Sequence, residues 1–108
     1  MYKILFLFLI GLSFSAYAWD GNIRGVVKSI DVADNNNYDF RVTLQDSSGV
    51  SKKSCSQTVT WSYINESDSN YSTYVSVLLA AKMAKNDVTI LTTKDSNGYC
   101  KIGYIVLH

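Results

Sequence analysis

Helical periodicity is confined to one stretch of this chain, and that constrains the fold more than any other feature. From Tyr71 to Met83 the residues Tyr71, Val75, Leu78, Leu79 and Met83 recur at the spacing of one helix face, with Tyr74 at its edge. The polar run Asn65–Asn70 offers Ser67, Asp68 or Ser69 as the N-cap, and Asn86 stands where a left-handed residue would end the helix. Ala80, Ala81 and Ala84 leave the far side small. Such a side suits close approach by a neighbouring helix, or simply an exposed face of good helix formers.

Everything else that is patterned alternates. Val26, Ile30 and Val32 share a parity in a first strand predicted over Ile23–Val32, with Gly25 marking a bulge or bend. Tyr38, Phe40, Val42 and Leu44 oppose Asp39, Arg41, Thr43 and Gln45 in a second strand, half-buried and antiparallel. After the turn Asp46–Gly49, a third strand is predicted from Val50 to about Tyr63, with Cys55, Gln57, Val59 and Trp61 on one parity. Beyond the helix, Val88–Thr93 and Tyr99–Leu107 read as a hairpin around Asp95-Ser96-Asn97-Gly98.

Three strands, a helix and two strands form the element order of the OB-fold, a five-stranded barrel closed by its third and fifth strands. The expected class is therefore all-β with one helix, an OB-fold-like barrel in the order β-β-β-α-β-β. Met1–Ala18 reads as a signal peptide, with Lys3, an apolar run Ile4–Leu12 and the small-x-small ending Ala16-Tyr17-Ala18. That run is too short to span a bilayer, which takes about 20 residues, so membrane insertion is not expected. Cleavage after Ala18 would leave one exported domain, residues 19–108, periplasmic or secreted.

A domain this small benefits from a covalent staple, and the two cysteines of an exported chain supply it. Cys55 on the third strand and Cys100 opening the fifth would meet at the barrel seam, provided their Cα atoms lie within about 7 Å. Ten basic and nine acidic residues become nine of each once Lys3 leaves with the signal. That balance lacks the basic footprint of a nucleic-acid binder or an anionic-lipid-docking surface.

Catalytic chemistry finds no support. The single histidine is the terminal His108, which removes Ser–His–Asp and Cys–His catalysis. The cysteines lack metal-ligand spacing, and no phosphate-binding glycine loop occurs. The carboxylate pairs Asp31/Asp34 and Glu66/Asp68 lie in polar loop sequence, where turn and cap chemistry accounts for them. No catalytic residue, metal site or cofactor is expected.

Aromatic residues carry the better lead. Trp61, Tyr63, Asn65, Asp68 and Tyr71 crowd the junction of the third strand and the helix. Planar rings beside amide and carboxylate groups suit a sugar, whose C–H face stacks while its hydroxyls are hydrogen-bonded. The competing reading makes Trp61, Tyr71 and Tyr74 packing residues and leaves Tyr63 the most exposed ring. Tyr99 and Tyr104 read as packing residues.

The C-terminal run LLAAKMAKNDVTILTTKDSNGYCKIGYIVL resembles the helix–strand–Cys–strand ending of AB5 toxin B subunits of the subtilase-cytotoxin and typhoid-toxin type. It also resembles small uncharacterised exported proteins of Gram-negative bacteria. The toxin resemblance implies a homopentamer that binds cell-surface glycans and delivers a catalytic A-type subunit, with Ala80, Ala81 and Ala84 at the interface between copies. The other reading of an exported, non-enzymatic chain is a structural or inhibitor-like periplasmic protein with no glycan ligand.

Overall fold

Alternation in the second strand translates directly into layers. In a computed structural model, which describes residues 19–34 and 36–108, Phe40, Val42 and Leu44 are buried on one face of β2 (Phe40–Gln45). Arg41, Thr43 and Gln45 are half-buried on the other. The same inward parity gives Val88, Ile90 and Thr92 in β4 (Asp87–Lys94), and Cys100 and Ile102 in β5 (Cys100–Leu107). The signal peptide expected over 1–18 lies outside the described residues.

With β1 (Gly21–Val32) and β3 (Trp61–Ile64), the five strands close on themselves in the order β1-β2-β3-β5-β4. The long β1 serves both sides, pairing with β2 through Val26–Val32 and with β4 through Gly21–Val26. Every pairing is antiparallel except β3–β5, which is parallel and spans only Ser62↔Cys100 and Tyr63↔Lys101. Beside that short closure Cys55 and Cys100 form the expected disulfide, with Cα atoms 5.5 Å apart. The chain is mostly β with one helix and one disulfide.

The predicted third strand is the main correction. Val50–Thr60 is not a continuous strand: Ser51 makes one bridge to Gln45, and the chain then doubles back with Ser54 N–H on the Val59 carbonyl at 2.7 Å. Distance explains it. Ser62 is the register partner of Cys100, and seven extended residues would put Cys55 about 23 Å up the strand. The disulfide and a long β3 are incompatible, and the chain keeps the disulfide.

The first and second strands differ in detail. Gly25 is not the bulge; it pairs in register with Val88, and the irregularity lies between Val27 and Ser29. A side chain at Gly25 would collide with the Gln45 carbonyl, so glycine is needed there for close approach of two backbones. Tyr38 leaves the predicted alternation altogether, with φ 60° in the left-handed region.

Helix α1 (Tyr71–Ala84) is present but rotated from the expected face. Leu78 and Ala81 are fully buried, with Tyr71, Tyr74 and Val75 packed alongside. Leu79 is 47% exposed and Met83 84% exposed, so neither is a packing residue. Ala81 lies in the core, leaving only Ala80 and Ala84 of the expected interface residues at the surface. Small size explains the rotation: at Ala81 the helix lies against the strands, and Tyr74 holds it there by donating to the Gly103 carbonyl at 3.0 Å. Asn70 rather than Ser67, Asp68 or Ser69 is the N-cap, and Lys85 (φ 58°) rather than Asn86 is the left-handed stop.

Candidate functional site

Two loops meet over the outer face of β3. Residues 33–39 connect β1 to β2, and Asp95–Tyr99 connects β4 to β5. The second loop is built by Asp95, whose Oδ1 accepts the N–H groups of Asn97 and Tyr99 while its carbonyl accepts that of Gly98. Gly98 takes φ 87°, the left-handed position this turn requires. The other carboxylate oxygen of Asp95 is then free to point across the surface. It accepts the Tyr63 hydroxyl at 2.7 Å and the Tyr38 hydroxyl at 3.1 Å.

Around this carboxylate four rings assemble. Tyr38 meets Tyr63, Tyr99 and Trp61 edge-to-face, with centroids 4.6, 5.1 and 5.7 Å apart. Trp61 and Tyr99 stack at 4.8 Å, and the Arg41 guanidinium lies 5.0 Å over the Trp61 ring. Arg41 also donates to the Tyr38 carbonyl, and Asn97 donates to the Tyr38 hydroxyl. Aromatic and cation–π contacts of this kind each contribute about 0.5–1.5 kcal/mol beyond burial.

Tyr38 reaches this position only through its left-handed backbone, a conformation that costs a bulky residue free energy. Its N–H is held by Asn65 Oδ1 at 2.7 Å, and Asn65 Nδ2 donates to Asn37 at 2.7 Å. Asp68 accepts the Asn65 N–H and pairs with Lys101 at 2.9 Å. The chain thus spends Asn65 and Asp68 on holding the first loop to the third strand.

Electrostatics follow from this geometry. Burial acts to raise the Asp95 carboxyl, but the hydrogen bonds from Tyr63, Tyr99, Tyr38 and Asn97 outweigh it and hold Asp95 below the ordinary carboxylate range. Burial also acts to raise Asp68, and the Lys101 ammonium with the Asn65 N–H brings it down. The Tyr63 phenol is pushed well above its usual value, first by burial, then by its hydrogen bond to Asp95 and that group's charge.

Of the five residues expected to bind a ligand, the structure brings Trp61, Tyr63, Asn65 and Asp68 together and separates Tyr71. Tyr71 turns inward, its ring edge-on to Phe40 at 6.1 Å. Tyr63, expected to be the most exposed ring, is 3% exposed beneath Tyr38 and cannot serve as a stacking face. Trp61 keeps a half-buried ring in this cluster, and its neighbours there are Tyr99, Tyr38 and Arg41. Sequence reasoning missed those three, together with Asp95 and Asn97. The one available signal was Asp95 five residues before Cys100: a turn so close to the seam must lie over the third strand. Neither models of known protein families nor curated protein sequences match this chain.

Proposed function

We infer that this protein is an exported, non-enzymatic binding module on an OB-fold-like barrel. The strand order β1-β2-β3-β5-β4, with the helix between β3 and β4, is the OB order. One observation carries the binding reading: the β1–β2 and β4–β5 loops converge through Tyr38 and Asp95 on an aromatic β2–β3 face. OB-folds use that face and those two loops for oligosaccharides and oligonucleotides. A near-neutral chain favours the sugar over the nucleic acid. The surface it offers is Trp61 with Tyr99, rimmed by the donors of Arg41 and Asn97.

The finer reading is a toxin-B-subunit-like protein that recognises a cell-surface glycan and carries a catalytic A-type partner. It rests on the C-terminal resemblance and on an inheritance from fold. The alternative is a structural or inhibitor-like periplasmic protein, favoured by the internal use of Tyr63, Asn65 and Asp68. A glycan array probed with the oxidised domain decides between them. Binding should be lost in Trp61→Ala and kept in Met83→Ala, which alters an exposed residue on the helix. A blank array with correctly folded protein removes the glycan ligand and leaves the alternative.

A further inference from the structure

The polar segment between β3 and α1 spells one acceptor pattern twice. Asn65-Glu66-Ser67 and Asn70-Tyr71-Ser72 both read Asn-x-Ser with no proline in the middle, and the pattern occurs nowhere else in the chain. In an exported protein this tripeptide is the acceptor for N-linked sugar and belongs on the surface. The tripeptide does not rank the two asparagines; their surroundings do.

Asn65 is consumed by the fold. Its Oδ1 accepts the Tyr38 N–H at 2.7 Å, and its Nδ2 donates to Asn37 Oδ1 at 2.7 Å. Turning that amide outward would release the left-handed Tyr38 and leave its N–H unpaired. Asn70 is spare by comparison. It is exposed at the N-cap of α1, yet its side chain makes no capping hydrogen bond; its carbonyl serves the helix instead, accepting the Tyr74 N–H at 2.9 Å. Ser72 is exposed too, and Ser76 Oγ bonds its carbonyl rather than its hydroxyl. A transferase must hold the asparagine and the serine together, whereas residues two apart on a helix do not face each other. The first turn therefore has to open. With no side-chain cap and no acidic residue there, it is the loosely secured end of the helix.

We propose that Asn70 is an N-glycosylation acceptor and that Asn65 is not. The donor is an oligosaccharide carried on a polyprenyl diphosphate. Asn70 Nδ2 bonds to the anomeric carbon, and the C–O bond to the diphosphate breaks. The lipid diphosphate leaves with the electron pair of that bond, and the amide proton passes to a base of the transferase. The glycan then stands out from the β3–α1 connection without displacing a side-chain cap. This rests on the exported part of the proposed function, because such transfer takes place beyond the export membrane, and not on the ligand.

The test presents the oxidised domain to an oligosaccharyltransferase that reads only Asn-x-Ser/Thr, with a polyprenyl-diphosphate oligosaccharide, and maps the product by mass. One glycan per chain is expected, on Asn70. Ser72→Ala keeps the asparagine and should cut the modified fraction at least about tenfold, while Ser67→Ala should leave it unchanged. Both serines are exposed, so neither variant disturbs the core. The glycosylated domain should keep the urea midpoint of the unmodified one. A folded domain that takes no glycan, a glycan on Asn65, or undiminished modification of Ser72→Ala overturns the proposal. Recovery of the chain uncleaved inside its producing cell would sink the export reading alone and leave the mapped acceptor standing.

Discussion

Asp95 shows how much one side chain can organise. One carboxylate oxygen shapes its own turn and the other joins two loops through Tyr38 and Tyr63. Removing the Tyr63 hydroxyl with Tyr63→Phe should cost about 2 kcal/mol of unfolding free energy, measured by urea denaturation, because the partner is charged and partly buried. The acid limb of stability follows from the same groups. Asp95 and Asp68 titrate below their unfolded values, so their contribution is complete above about pH 4 and is lost as pH falls through the lower folded values. Tyr63 titrates above its unfolded value, so its contribution is complete below about pH 10 and is lost above it. Thermal midpoints should therefore be flat between these limits, and Asp95→Asn should shallow the acid limb; an unchanged limb would remove Asp95 from that role. Little of this was legible in the sequence. Tyr38 continues the alternation of β2 perfectly, and only the tertiary hold of Asn65 on its N–H reveals that it has turned around.

At the scale of elements, the helix separates what periodicity can tell from what it cannot. Spacing located the helix, but Leu79 and Met83 are as apolar as Leu78, and only packing distance decides which stripe faces inward. Leu78→Ala should cost about 2–5 kcal/mol, while Leu79→Ala and Met83→Ala should stay within about 0.5 kcal/mol. Equal losses at Leu78 and Leu79 would mean that the exposed stripe is covered in solution. The hairpin turns were more legible. Asp46-Ser47-Ser48-Gly49 and Asp95-Ser96-Asn97-Gly98 build the same structure, with the aspartate accepting the N–H groups two and four residues on and the glycine at positive φ. Local chemistry fixes such turns, which is why they can be read from sequence. The shortened β3 could not be read that way, because its alternation is sound and only the distance between Cys55 and Cys100 forbids it.

Across the whole molecule, element order and the disulfide were the readable features, since both rest on long-range constraints that few topologies satisfy. The closure they describe is thin: two register positions and one covalent bond. With a sequence separation of 45 between the cysteines, the loop-entropy account assigns the bond about 4 kcal/mol. Replacing both cysteines by alanine should lower the urea midpoint accordingly, with β3–β5 amides exchanging first; a loss below about 1 kcal/mol would show that the seam stands without it. The pairing of β1 with β4 has a further consequence, one that concerns time rather than space. Synthesis delivers β1 and β2 first, yet Gly21–Val26 meets its partner only when Asp87–Thr92 exists, and β4 in turn waits for β5. Phe40, Val42 and Leu44 therefore stay uncovered until β4 and β5 are made. The ring of strands cannot close before β5 is in place.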